Sequence, residues 1–332
     1  MEGQGAASSG GNQGGLWRRY LPVMLTVCFG TAVSIAMSVI VHGWERERIR
    51  FDFEKRAMEL AVPIQRSVDE SIEALRAIHS FYEASPTIGR QQFEAFANGE
   101  VSEHPSIQAL EWIPRVQDGR RPAYEAAARR DGYPDFRITE RNTQGQMVRA
   151  AKRVEYFPVY YVEPFKGNEI ALGFDLASNP ARLEALERAR DTGTPTATSR
   201  IVLVQETGEQ FGFLVFVPIY RPGSSHETVE ERRRNLLGFA LGVFRIGDLV
   251  EASLRGLDVA GIDITIYDEA ALAPERLLFH HAQSGPVLAV QATSAEGSKG
   301  LAGLRWRTTF DVGTRQWSVM FMATPQYLYM TT

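Results

Sequence analysis

The sequence predicts an α+β protein hung from the membrane: an N-terminal transmembrane helix, a long stalk helix, then two successive mixed α/β units. Tyr20–Val41 carries no charged residue, and about 20 apolar residues suffice to cross the hydrocarbon core as a helix. From Leu60 to Tyr82 the apolar residues recur at spacings of three and four, which gathers them on one helical face. Beyond Ile107, runs rich in β-branched and aromatic residues alternate with helical stretches that have start and stop signals.

Residues 1–15 are Gly/Ser-rich and predict a disordered tail. The transmembrane helix follows at 20–43. A cleaved signal has an apolar region of about 7–15 residues that ends at a small-x-small site. This run is longer and passes into His42-Gly43-Trp44-Glu45-Arg46 without such a site, which predicts a retained anchor. Charge does not fix its sidedness, because Arg18 and Arg19 precede it while Arg46, Arg48, Arg50, Lys55 and Arg56 follow it.

Residues 44–84 form the stalk. Its face of Leu60, Ile64, Val68, Ile72, Leu75, Ile78 and Tyr82 has two readings. One is a near-heptad seam that pairs with a second copy in a homodimer; the other is a stripe packed on the protein's own domain. Pro63 predicts a kink or a restart within it.

A short helix is expected over Arg90–Asn98, a strand over Ile107–Val116, a helix over Arg121–Asp131, and strands over Phe136–Thr139 and Tyr156–Val162. Asn179–Asp191 reads as a helix, with Asn179 as cap, Pro180 in the first turn and Gly193 past its end. Strands Thr198–Val204 and Gly212–Val217 follow, joined by the turn QETGEQ, with Pro218 ending the second. The charged segment Arg221–Arg234 reads as a solvated connector and unit boundary, dividing the chain into units at 85–222 and 235–324. In the second unit Leu236–Phe244, Ile262–Tyr267, Leu277–His281, Val287–Ala292, Arg305–Val312 and Trp317–Ala323 read as strands, and Gly247–Arg255 as a helix.

The net charge of −4 gives no footprint for nucleic acid. The only cysteine, Cys28, lies in the membrane run, so the remainder has no disulfide or thiolate chemistry. No P-loop, GxGxxG unit, HExxH or GxSxG elbow occurs. His280 and His281 are adjacent on a strand and point to opposite faces, so they do not share a metal. Neither a cofactor nor an enzyme activity is expected of this chain.

Aromatic residues instead gather at Tyr156, Phe157, Tyr160 and Tyr161, with Trp112 on an earlier strand and Phe211, Phe213 and Phe216 on a later one. A single acid, Asp175, sits in the otherwise apolar Ala171–Leu176. An apolar cavity with a few placed polar groups is the usual form of a small-molecule site. On the residues alone, the favoured reading of Asp175 is a turn or helix cap among core aromatics.

The succession EWIPRV (111–116), EYFPVYYVEP (155–164), GFDLAS (173–178), ALERARDTGTPTATS (185–199) and FVPIY (216–220) resembles the CHASE domain. That family comprises extracytoplasmic sensory domains of membrane histidine kinases and nucleotide cyclases, the plant cytokinin receptors among them. The resemblance covers about residues 85–245. It implies that both units are PAS-like and that the membrane-distal one holds a small molecule, adenine-like in the cytokinin receptors. It implies that Asp175 binds the base, that Tyr156 lines the pocket, that Ala197 and Thr198 supply contacts from a strand, and that Thr207 is the counterpart of a further threonine. Where the family has Thr-Ser-Pro this chain has Thr198-Ser199-Arg200, which directs a positive charge toward the pocket.

The resemblance also implies that residues 44–332 lie outside a bacterial inner membrane, as the input module of a receptor. A second span would begin about Pro325–Met330 and lead to a kinase or cyclase output domain. The alternative is a periplasmic module that senses a protein partner. The state of the cavity near Tyr156 and Asp175 discriminates: one filled by the protein's own side chains favours the partner.

Overall fold

The computed structural model describes residues 14–85, 88–204, 211–273, 275–282 and 303–331. Residues 1–13 of the tail predicted at 1–15, the turn QETGEQ with Thr207, and the strand expected at 287–292 lie outside the described residues, and Gly14 and Gly15 are helical. The chain divides into two units, Met1–Phe53 and Glu54–Thr332. Helix α1 (Gly14–Ala84) contributes to both.

In the first unit the helix holds the apolar run, whose mean hydropathy reaches 2.2 with none of that stretch buried. Thr31 satisfies its hydroxyl within the helix by donating to the Val27 carbonyl at 2.8 Å.

In the second unit Leu60, Ile64, Val68, Leu75, Ile78 and Tyr82 are all buried within the protein. The periodic face is therefore a core stripe and is not available as a seam to a second copy. Met58 and Val62 remain exposed on the same stretch. Pro63 does not interrupt the helix; the expected restart is absent, because the buried face on both sides of it holds the chain helical.

Helix α2 (Arg90–Glu103) precedes β1 (Ile107–Pro114) and the short β2 (Val116–Gln117). Helix α3 (Arg121–Arg130) and the hairpin β3 (Thr139–Arg141) and β4 (Met147–Arg149) follow. The single strand expected at 156–162 is two, β5 (Glu155–Tyr156) and β6 (Tyr161–Glu163). Between them, Val159 donates to the Phe174 carbonyl at 3.0 Å and its own carbonyl accepts from Gly173 at 2.8 Å. Gly173 has φ +83°, and a Cβ there would meet the Arg137 carbonyl oxygen at 2.4 Å, so only glycine fits.

Helix α4 (Pro180–Thr192) forms as its signals predict: the Asn179 side chain accepts from Arg182 N at 3.2 Å, and Gly193 closes it at φ 72°. Then come β7 (Thr196–Ala197), β8 (Gly212–Tyr220), α5 (Val229–Asn235), β9 (Leu236–Arg245) and α6 (Ile246–Ser253). The strand expected over 198–204 does not form: β7 ends at Ala197, Ile201 makes an isolated bridge to Gly212, and Leu203 and Val204 are buried. Strand β8 runs through Pro218. Its neighbour β7 reaches only Val215 and Phe216, which leaves Pro218 on an unpaired edge that tolerates the missing N–H.

A five-stranded antiparallel sheet has the order β6-β1-β9-β8-β7. Strands β8 and β9 are thus neighbours, so the segment 221–234 connects strands of one sheet and marks no boundary. It also contains α5, nucleated by a capping box in which Thr228 and Glu231 bond reciprocally to each other's backbone N–H. A second, four-stranded sheet has the order β11-β10-β13-β12, built from β10 (Ile262–Asp268), β11 (Leu277–His281), β12 (Arg305–Val312) and β13 (Arg315–Ala323), followed by α7 (Pro325–Thr331). Phe213 of β8 meets Trp317 of β13 edge-on at 4.8 Å and ties the two sheets together.

Candidate functional site

Strand β1 is an interior strand of the first sheet, and the alternation of its side chains defines the site. Ala109, Glu111 and Ile113 share one face, and Leu110 and Trp112 the other. The first face, with Leu214 of β8 and Leu241 and Val243 of β9, is covered by Ala185, Leu186 and Ala189 of α4 and by Phe157, Val159, Phe174 and Leu176. Within this cover lies a void of about 10 Å³, lined by Glu111, Arg182, Phe174, Leu176, Leu203, Val204 and other apolar residues. An open cleft of about 250 Å³ adjoins it and shares Phe174, Arg182, Leu203 and Val204; Arg141, Ser178 and Asn179 complete its wall.

Two charged side chains are buried here. Burial pushes the Glu111 carboxyl up to about 8, opposed by the Arg182 charge. Burial likewise pulls Arg182 down to about 10, opposed by Glu111 and reinforced by Arg141. Arg182 donates from Nη2 to the Val202 carbonyl at 3.3 Å and lies 5.0 Å over the Phe174 ring. Its Nε has no hydrogen-bond partner among the described residues. The Glu111 carboxylate accepts no hydrogen bond from a described residue, an expensive state for a buried acid.

Asp175 is fully buried and caps the short turn Leu176–Ser178. Its Oδ1 accepts from Phe157 N at 2.8 Å and Ala177 N at 3.3 Å, and Arg153 Nη1 donates to Oδ2 at 3.2 Å. Burial raises its pKa against these bonds. Asp175 is therefore turned to Arg153, whereas its neighbours Phe174 and Leu176 line the void. Arg153 also pairs with Glu140 and lines an open groove of about 580 Å³ with Asp118, Lys152 and Glu155. Tyr156 stands at the same wall: its hydroxyl donates to Asp118 Oδ1 at 2.9 Å and accepts from Arg153 N at 3.0 Å.

The remaining predicted residues separate. Trp112 stacks on Tyr82 of α1 at 4.1 Å, on the sheet face opposite Glu111, because successive strand residues point to opposite sides. Thr198 is buried beside β8, where its Oγ1 accepts from Leu214 N at 3.1 Å, and Ala197 pairs with Val215. Arg200 does not bring its charge to the cavity. Its guanidinium donates to the Leu277 carbonyl of β11 at 2.6 Å and lies 4.0 Å over the Phe211 ring. The cationic group at the cavity is Arg182 instead. A sequence signal for it existed: Arg182 shares a helical face with Ala185, Leu186 and Ala189, and Glu111 is a lone acid in an apolar strand.

Among the described residues no cluster of side chains able to hold a metal occurs.

One helix long and apolar enough to cross a membrane thus precedes two antiparallel sheets, the first of which carries a covered cavity. The CHASE domain family model matches residues 86–279, over half of the chain, and the chain belongs to that family. The match extends beyond the 85–245 expected from the motifs, through α6 and β10 into β11. The hybrid signal transduction histidine kinase A of Dictyostelium discoideum is 23% identical over 92% of this chain. The chain spans 15% of that relative's length. The periplasmic sensory domain of the Campylobacter jejuni chemoreceptor Tlp1 has a similar fold, with TM-score 0.50 and 13% identity over 85% of this chain and 98% of that one. The ligand-binding domain of the Pseudomonas aeruginosa amino acid chemoreceptor PctC, solved with GABA, matches at TM-score 0.43 and 13% identity over 78% of this chain and 93% of that one.

Proposed function

We propose that this chain is the extracytoplasmic input module of a receptor in a bacterial inner membrane. The first sheet with its α4 cover is the membrane-distal, PAS-like unit and binds a small molecule; the second sheet is the proximal PAS-like unit. A stalk homodimer passes the signal to a histidine kinase or nucleotide cyclase output domain, so catalysis resides outside this chain.

One observation carries this reading. Glu111 and Trp112 are consecutive on β1; the first faces the cavity and the second stacks on Tyr82 of the stalk helix. His79 reinforces the same junction, its Nδ1 3.0 Å from the Pro218 carbonyl of β8. A shift of β1 on ligand binding therefore reaches α1 through direct contact. Such a shift signals only if the ligand binds the two states differently, and packed helices sliding or rotating are a common bistable element. The family's adenine contact is not preformed, since a base on Asp175 would have to displace Arg153.

The test is a thermal-shift screen of the full chain in nanodiscs against a metabolite library. We expect at least one compound to raise Tm, and Val204→Trp, which fills the cleft, to abolish its effect. A second reading, a module that senses a protein partner, is favoured by the small inner void, which holds about one water. Absence of any hit supports it.

A further inference from the structure

Resting on the reading that the first sheet's cavity binds a small molecule, we propose that its ligand is a compact amino carboxylate. Arg182 and Arg141 hold the carboxylate at the N-terminus of α4, and Glu111 receives the amino group.

The cleft is built for an anion. Arg182 is 5% exposed, and its Nε is unpartnered among the described residues. Arg141, on the same wall, donates from Nη2 to the Val204 carbonyl at 3.0 Å. Two guanidiniums thus grip carbonyls two residues apart and converge on one opening. Guanidinium forks match carboxylates in a planar, bidentate way, and the start of α4 adds the favourable end of its dipole.

The second half of the recognition is Glu111. A buried carboxyl group and a buried guanidinium that form no ion pair with each other leave a gap that is polar at both ends, and an ammonium group arriving beside Glu111 would draw off its proton and hold it ionised. A molecule carrying both charges satisfies both groups at once, whereas a neutral base leaves each desolvated and unpaired. The rest of the lining is apolar, which restricts the ligand's own side chain to a small or apolar one. Leu203 and Val204 border both the void and the cleft. A ligand seated on Arg182 reaches Glu111 once these two side chains turn aside.

Calorimetry on the full chain in nanodiscs tests this, with free amino acids as probes, each beside its decarboxylated amine and its deaminated acid. We expect an amino acid to bind and both relatives to be weaker by about tenfold or more, the cost of losing a charge-assisted hydrogen bond. Arg141→Ala, at an exposed position that leaves folding intact, should weaken carboxylates about tenfold. Glu111→Gln should erase the preference for an amino acid over its deaminated acid. Binding of a neutral compound that both variants leave unchanged overturns the proposal but keeps small-molecule sensing. No binding by the amino acids or by a wider library overturns both.

Discussion

Each of the two sheets buries a carboxylate and an arginine, with opposite outcomes. In the second sheet Asp268 of β10 and Arg315 of β13 meet directly: Asp268 Oδ2 takes Nε at 2.7 Å and Nη2 at 2.6 Å, while Ala270 N donates to Oδ1 at 3.0 Å. In the first sheet Glu111 and Arg182 are as deeply buried but form no ion pair, and apolar side chains surround the space between them. A satisfied pair fixes a fold. An unsatisfied one is tolerated where something else completes it, and buried polar groups without partners tend to mark functional sites.

Breaking the satisfied pair should have the largest effect. Asp268→Ala leaves Arg315 buried without its partner and should cost about 3–5 kcal/mol, seen as a lowered denaturation midpoint that no ligand restores. Next is the junction between sheet and stalk: Tyr82→Leu loses the stack on Trp112, worth about 0.5–1.5 kcal/mol beyond its buried area. That variant should still bind ligand yet fail to change hydrogen exchange in α1, and an unchanged response would break the proposed route.

The unsatisfied pair predicts a pH effect. Glu111 titrates at about 8 when folded against 4.5 as the ordinary value, so between these pH values the folded state holds the extra proton. Stability from this group is therefore present below 4.5 and declines as pH rises to about 8. Glu111→Gln should flatten that decline in a Tm-versus-pH series while raising Tm at the alkaline end. An identical slope in both proteins would place the titration elsewhere. The smallest effect on stability is expected from cysteines on the exposed stalk face. Met58→Cys and Val62→Cys should crosslink a stalk dimer in membranes, whereas Val68→Cys and Leu75→Cys should not, because those positions are buried within one chain.

Much of this architecture was legible in the residues. The uncharged run gives the long apolar helix, and Asn179, Pro180 and Gly193 bound α4 because capping is local chemistry. Strands β10, β11, β12 and β13 follow from their own composition. The motif order also suffices to place the family. The site was legible only in part. Asp175 is buried as expected, yet it serves as a turn cap held by Arg153, the local reading that the residues alone favoured. Trp112 and Arg200 face elsewhere, because motif proximity says nothing about which side of a strand a residue occupies or which neighbouring sheet it reaches.

The sequence by itself determined the elements and the family, since periodicity, caps and motif order depend on residues near one another along the chain. Only the tertiary structure decided that the stalk's apolar face is core, that β9 joins the first sheet, and that Glu111 and Arg182 share a cavity. Those outcomes depend on which distant surfaces meet to bury apolar area, and a single chain's local pattern is the same whichever partner covers it.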